Sequence, residues 1–222
     1  MTDSISSYQA ILFDLDGTLL DTANDLGAAL NHVLTLHGMA TVNEASFRPQ
    51  ASNGALGLLT LGFGDQLSTF DSKALRQTFL HYYHENIAKH TCMYDGVEQL
   101  LSQLNLANIP WGIVTNKPIA LTLRLLEHFP LLAASKVIVG GDSLTERKPH
   151  PAPLLYASEQ LEVSANKTIY LGDAERDIVA GNAANMYTVI AKWGYITEQE
   201  PLELWQADYV AQHPQLVGEL IL

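Results

Sequence analysis

The chain has 222 residues, enough for one large domain or a core with a smaller insert. Its 12 Lys and Arg against 24 Asp and Glu leave a formal charge of −12, which argues against nucleic acid and anionic membrane surfaces as partners. A 47% hydrophobic share with 16% charged residues is a globular composition rather than a disordered one, and the single Cys92 excludes an internal disulfide and a cysteine-cluster zinc site.

In chain order, the N-terminal MTDSISSYQA has an acid and no basic segment, and the AILF run in 8–13 is too short for a secretory leader. No stretch approaches the roughly 18 apolar residues of a membrane span. These features predict a soluble, cytoplasmic protein in a reducing compartment. Residues 8–13 read as a buried parallel strand ending in Asp14-Leu15-Asp16-Gly17-Thr18. After Asp21-Thr22, Leu26, Ala29, Leu30, Val33 and Leu34 keep a helical period up to Gly38. Residues 53–64 hold four glycines and several leucines and read as a loop leading into a short helix. Asp71 is placed to cap a longer helix with Leu75, Phe79, Tyr82 and Tyr83 on one face.

From Met93 the rhythm alternates. A helix carries Val97, Leu100, Leu101 and Leu104, then come a strand at 111–114 and a helix at 119–129. A strand at 136–139, a helix at 153–161, a strand at 168–171, a helix at 178–185, a strand at 188–191 and an edge strand at 209–210 follow. This alternation predicts an α/β fold with a doubly wound, Rossmann-like parallel sheet. The all-helical stretch breaks the rhythm and reads as an inserted helical domain. The expected division is 1–18 with 91–222 as the core and 19–90 as the insert.

In such sheets the ligand site lies outside the carboxyl ends of the strands. Asp14, Asp16, Thr115 and Asp173 fall there, with Lys148 in a loop after another strand. Three carboxylates in one crevice repel one another, and a divalent cation relieves that conflict. Hard oxygen ligands suit Mg²⁺, which shares its oxygens with phosphate. With the carboxylates neutralised, a phosphate can approach Asp14, and Lys148 and the Thr115 hydroxyl can hold its oxygens. The expected partner is a small phosphorylated metabolite.

Four blocks occur in register: Phe-Asp14-Leu-Asp16-Gly17-Thr18-Leu, Ile113-Val114-Thr115-Asn116-Lys117, Lys148-Pro149-His150-Pro151 and Gly172-Asp173-Ala-Glu-Arg-Asp177. Together they resemble the four motifs of the haloacid dehalogenase superfamily, over essentially the whole chain. The resemblance implies a phosphatase with an inserted helical cap. It implies Asp14 as nucleophile through an aspartyl-phosphate, and Asp16 as the acid that protonates the leaving oxygen. Thr115 and Lys148 would hold the phosphoryl group. Asp14, the Asp16 backbone carbonyl and Asp173 would hold Mg²⁺. Asp177, one helical turn after Asp173, would order metal-bound water or pair with Lys148. The acid at Asp16 favours phosphoester hydrolysis over carbon–halogen cleavage, because a halide leaves without a proton.

Further blocks, at 114–118, 140–142, 148–154 and 193–195 with Asn53-Gly54-Ala55 in the insert, most resemble bacterial phosphoglycolate phosphatases. Arg176-Asp177-Ile178 and Gly194-Tyr195-Ile196 resemble N-acetylmuramate 6-phosphate phosphatases. Asn53, Gly54, Asn116, Thr115 and Lys148 are the candidate substrate contacts. Lys117 is either functional or a solvated helix start, and Arg48 is a candidate cation for a substrate carboxylate. A sugar-phosphate phosphomutase shares these motifs, whereas a phospho-accepting receiver module needs neither the cap nor Asp16. None of the eight histidines is assigned to catalysis; His150 is read as shaping its loop. Cys92 is read as a small buried residue, and the oligomer as a monomer or homodimer.

Overall fold

Four consecutive apolar residues with no polar partner of their own suit a strand covered on both faces. In the computed structural model, which describes residues 8–222, that run forms β1, Ala10–Phe13, and all four residues are buried. Residues 1–7, on which part of the leader reading rests, lie outside the described residues.

The chain then enters a helical unit, Leu20–Cys92. After β2 (Leu20–Asp21) it forms α1 (Ala23–Leu36), α2 (Glu44–Phe47), α3 (Gly54–Phe63) and α4 (Ser72–Glu85). α1 buries Leu26, Ala29, Leu30, Val33 and Leu34, the stripe expected from the sequence. Asp71 caps α4 by accepting from Lys73 N and Ala74 N, and Leu75, Phe79 and Tyr83 face inward. Tyr82 is only half-buried and stacks on His32, with ring centroids 4.2 Å apart.

Residues 53–64 correct the expected loop, because all of Gly54–Phe63 is helical. Leu58, Leu59 and Phe63 are buried along α3, which outweighs the glycine cost of about 1 kcal/mol each. Gly62 permits close packing: a Cβ there would stand 2.8 Å from Leu30 Cδ1.

The other unit comprises the chain up to Leu19 and Met93–Leu222. β3 (Cys92–Met93) pairs with β2 where the chain returns from the insert. Cys92 is exposed there, not buried as expected, because a two-residue strand at a chain crossing has no covering layer. Next come α5 (Val97–Leu106), β4 (Trp111–Val114), α6 (Ile119–Leu126), β5 (Ile138–Val139) and α7 (Ala152–Gln160). β6 (Thr168–Gly172), α8 (Glu175–Ala183), β7 (Tyr187–Ala191), β8 (Tyr209–Ala211) and α9 (Pro214–Ile221) complete it.

α6 stops earlier than expected. Pro130 disfavours helical backbone at the preceding Phe129, which takes φ −129° and ψ 77°. The strand expected at 136–139 is shorter, although Lys136 N still donates to Trp111 O. α2, α9 and the β2–β3 pair are additions that the apolar pattern does not announce.

The six strands form one sheet in the order β5-β4-β1-β6-β7-β8, and every pairing is parallel. β1 is central: Phe13 stands opposite Ile113 of β4 and Leu171 of β6. The chain adds strands outward on one side of β1, then crosses over and builds the other side. Strand order therefore reverses at β1, the place where such sheets open a crevice. Leu12, Val114, Val139, Leu154, Ala157, Tyr170 and Ala180 share one buried cluster. Among the described residues, no helix is long and apolar enough to cross a membrane.

Candidate active site

Asp14, Thr115 and Asp173 each follow a strand of the adjacent trio β4-β1-β6. The sheet hydrogen bonding continues into these residues: Asp14 N donates to Leu171 O at 2.8 Å, and Thr115 N to Val139 O at 2.9 Å. All three side chains are buried. Their polar groups are held at the sheet end by strand geometry, because the apolar strands fix where the chain emerges.

Lys148 is the hub. Its Nζ lies 3.0 Å from Asp14 Oδ1 and 2.7 Å from Asp177 Oδ1. It also donates to Val114 O at 2.8 Å and Tyr170 Oη at 2.7 Å. The lysine side chain is 1% exposed and that of Asp177 is 0% exposed. An ammonium so far from water costs several kcal/mol unless oxygens replace its hydration shell. Here a carbonyl, a phenol and two carboxylates do so.

Asp177 sits in the first turn of α8 and also accepts from Ala174 N at 3.0 Å. Asp173 accepts from Tyr195 N at 3.0 Å and from the Thr18 hydroxyl at 3.4 Å. Gly17 has φ +88°, and a Cβ there would stand 2.1 Å from Asp173 Oδ2. Glycine is thus required twice at this position, for backbone conformation and for space.

Asp14, Asp173 and Asp177 each bring a carboxylate oxygen within 4.8 Å of the others. Burial pushes the Asp14 carboxyl up to about 6, with Lys148 opposing the rise and Asp177 adding to it. The attraction of the lysine therefore does not offset the cost of burying this carboxylate. Three buried oxygen donors with surplus negative charge fit a hard divalent cation of the Mg²⁺ type. The Asp16 carboxylate is not in this group: its Oδ1 lies 2.8 Å from Lys117 Nζ. Asp14 and Asp16 thus face different lysines.

The Thr115 hydroxyl accepts from Lys117 N at 3.1 Å. Asn116 donates from Nδ2 to Lys148 O at 2.9 Å, which ties two loops of the site together. His150 is exposed, and its Nδ1 accepts from Ala152 N at 3.2 Å in the loop.

Asn53 and Gly54 belong to the helical unit. Asn53 is exposed and donates to Gln50 Oε1 at 2.9 Å. It lines a shallow cavity of about 450 Å³ with Gln50, Leu56, Gly57, Thr60 and Leu61. The Arg48 guanidinium is paired with Asp21 and, at 3.2 Å, with Glu44.

One site residue escapes the sequence reading, and another is left open by it. Tyr170 reads as one more apolar strand residue, although its hydroxyl contacts Lys148 and donates to Val114 O at 3.1 Å. A tyrosine inside a fully buried strand was the available signal, since its hydroxyl needs a partner. Lys117 reads equally well as a solvated helix start, but it is buried.

Residues 11–191 match the family model described as haloacid dehalogenase-like hydrolase. The chain is 42% identical over 212 residues to a phosphoglycolate phosphatase of Xanthomonas campestris pv. campestris (strain 8004), covering 95% of each chain. It is 37% identical to an N-acetylmuramic acid 6-phosphate phosphatase of Pseudomonas aeruginosa, over 93% of this chain and 92% of that one. A crystal structure of a predicted phosphoglycolate phosphatase from Haemophilus somnus 129PT superposes with a TM-score of 0.87 at 25% identity, covering 98% and 99% of the two chains.

Proposed function

This chain belongs to the haloacid dehalogenase-like hydrolases, and from that premise we propose that it hydrolyses a small phosphomonoester, phosphoglycolate first among the candidates. The observation that carries the reading is Lys148 Nζ set between Asp14 and Asp177 at the sheet's reversal point.

Asp14 attacks phosphorus through a carboxylate oxygen. The bond from phosphorus to the ester oxygen breaks, and Asp16 gives that oxygen its proton. The aspartyl-phosphate on Asp14 is then opened by water, whose proton returns to Asp16, and Asp14 is released. Splitting one displacement into two lowers each barrier. Lys148 and Thr115 hold the phosphoryl oxygens as charge builds on them. Asp14, Asp173 and the Asp16 backbone carbonyl would hold Mg²⁺, with Asp177 beside Lys148. The bound ion would offset the carboxylate charge and draw in the phosphoryl oxygens.

We assign substrate choice to the helical unit as a cap, with Asn53 and Gly54 among its contacts. The 37% identity to an N-acetylmuramic acid 6-phosphate phosphatase favours that amino-sugar phosphate as the second substrate reading. A sugar-phosphate phosphomutase is the alternative reaction, in which the phosphoryl group passes from Asp14 to a second hydroxyl.

The test is phosphate release from 2-phosphoglycolate, N-acetylmuramate 6-phosphate and glucose 1-phosphate, each with Mg²⁺ and with EDTA. Metal-dependent release led by phosphoglycolate supports the full reading. Release led by the amino-sugar phosphate keeps the chemistry and changes the substrate. Release from none without an acceptor sugar transfers the argument to the mutase.

A further inference from the structure

We propose that Lys117 is a positioning residue that holds the Asp16 carboxyl where the leaving oxygen must be protonated. The inference rests on the proton-donor role proposed for Asp16.

Lys117 Nζ lies 2.8 Å from Asp16 Oδ1, with side chains 6% and 14% exposed. A lysine this deep needs an oxygen partner, and its alkyl stem must be led there by the backbone. The backbone is fixed from several sides. Lys117 N donates to Thr115 Oγ1 at 3.1 Å, and Gly141 N donates to Lys117 O at 2.8 Å. Gly141 allows the loop to close in, since a Cβ there would stand 2.2 Å from Asn116 O. Asn116 in turn is tied to Lys148 O. The parallel pairing of β1 and β4 sets Phe13 opposite Ile113, so the segments carrying Asp16 and Lys117 leave the sheet side by side.

Asp16 needs such a guide. Asp14 and Asp173 at neighbouring strand ends and Asp177 in the first turn of α8 cluster together, and their charge repels a further carboxylate. Asp16 lies beyond the end of β1 and immediately before a sharp turn, with Gly17 at φ +88°, so its side chain is not directed by a regular strand. The Lys117 ammonium supplies both an attraction and a fixed address. Acid catalysis depends on the donor being within hydrogen-bond reach of the oxygen it protonates.

A positioning role predicts a dependence on the leaving group. The alkoxide of an alkyl phosphate needs a proton to depart, whereas p-nitrophenolate leaves without one. kcat/KM reports the steps through leaving-group departure, so it isolates the acid step. In the holoenzyme with Mg²⁺, Lys117→Met is expected to lower kcat/KM for 2-phosphoglycolate about 100-fold. For p-nitrophenyl phosphate the fall is expected to stay within about threefold, and Lys117→Arg is expected to restore most of the lost alkyl-phosphate activity. Lys117→Met in an Asp16→Asn background is expected to change kcat/KM by no more than about threefold, because the two act as one unit.

Equal losses on both substrates, a rise in KM alone, or additive losses in the double variant would overturn the inference. Should Lys117→Met unfold the protein, Lys117→Gln provides the same comparison. Asp16→Asn is the separating control. If it shows the leaving-group selectivity and the Lys117 variants do not, the positioning role alone falls. If Asp16→Asn shows none, the proton-donor reading falls and the inference with it.

Discussion

Lys148 Nζ lies 2.7 Å from Asp177 Oδ1, and almost nothing of either side chain reaches solvent. The same ammonium touches Asp14 Oδ1 at 3.0 Å. Removing it leaves two carboxylates buried without their cation. Lys148→Met is therefore expected to destabilise the metal-free protein by about 3–5 kcal/mol, the usual cost of breaking a buried pair from one side. Urea denaturation in EDTA checks this. A loss below ~1 kcal/mol would mean that the ion pair merely balances its own desolvation.

Asp14 gives the metal-free protein a distinctive pH dependence. Burial raises its carboxyl from 3.8 to about 6, so the folded state holds this proton more tightly than the unfolded chain does. The stability it confers is full below pH 3.8 and is lost as pH rises through about 6. A carboxyl raised that far contributes on the order of 3 kcal/mol below pH 3.8, and this falls towards zero by about 6. Asp14→Asn cannot ionise and escapes the loss. In EDTA, the melting temperature of Asp14→Asn minus that of the parent should grow between pH 4 and pH 7. A flat difference would contradict a raised carboxyl. The same variant should have no measurable phosphate release, since it lacks the proposed nucleophile.

The helical unit has its own buried acid. Asp25, in the first turn of α1, accepts from His90 N at 3.0 Å, Thr91 N at 3.0 Å and the Thr91 hydroxyl at 2.7 Å. One carboxylate thus satisfies the backbone just before β3. Hydrogen bonds to a charged group contribute about 1.5–3 kcal/mol each, and orphaned N–H groups add a penalty. Asp25→Ala should cost about 3 kcal/mol, and Asp25→Asn, which keeps an acceptor, about half of that. Chemical denaturation of the full chain measures both. Equal losses would show that charge, rather than acceptance, decides.

The parts of this protein that can be read from its sequence are those set by local apolar runs. The buried strands β1, β4 and β6 stand out because a strand covered on both faces has no polar alternation. Asp14, Thr115 and Asp173 follow them as the first polar residues. Tyr170 and Lys117 are harder, since what they touch depends on which strands become neighbours. Phe13 opposite Ile113 is a register, and a register is not a local property. Asp25 is hidden for the same reason, with partners 65 and 66 positions away. α3 misleads differently. Its glycines read as a loop, yet Gly62 serves close packing against Leu30. Cys92 misleads because cysteine is usually buried, whereas a two-residue strand at a chain crossing leaves it outside.

Gly17 connects the backbone to the proposed metal site. Its φ of +88° is costly for any residue with a side chain, by about 1–2 kcal/mol. A methyl group there would also stand 2.1 Å from Asp173 Oδ2 and 2.5 Å from Asp173 Cγ. That carboxylate has little room to retreat, because its Oδ2 also accepts from Tyr195 N at 3.0 Å. Gly17→Ala should therefore displace Asp173 while leaving Lys148 with Asp177. The expected outcome is at least a tenfold loss of Mg²⁺ affinity and a stability loss of about 2 kcal/mol or more. Melting temperature against Mg²⁺ concentration separates the two effects. The metal-free value reports the strain, and the concentration at which Mg²⁺ raises it reports the site. If Gly17→Ala responds to Mg²⁺ at the parent's concentration, Asp173 is not a ligand of the ion.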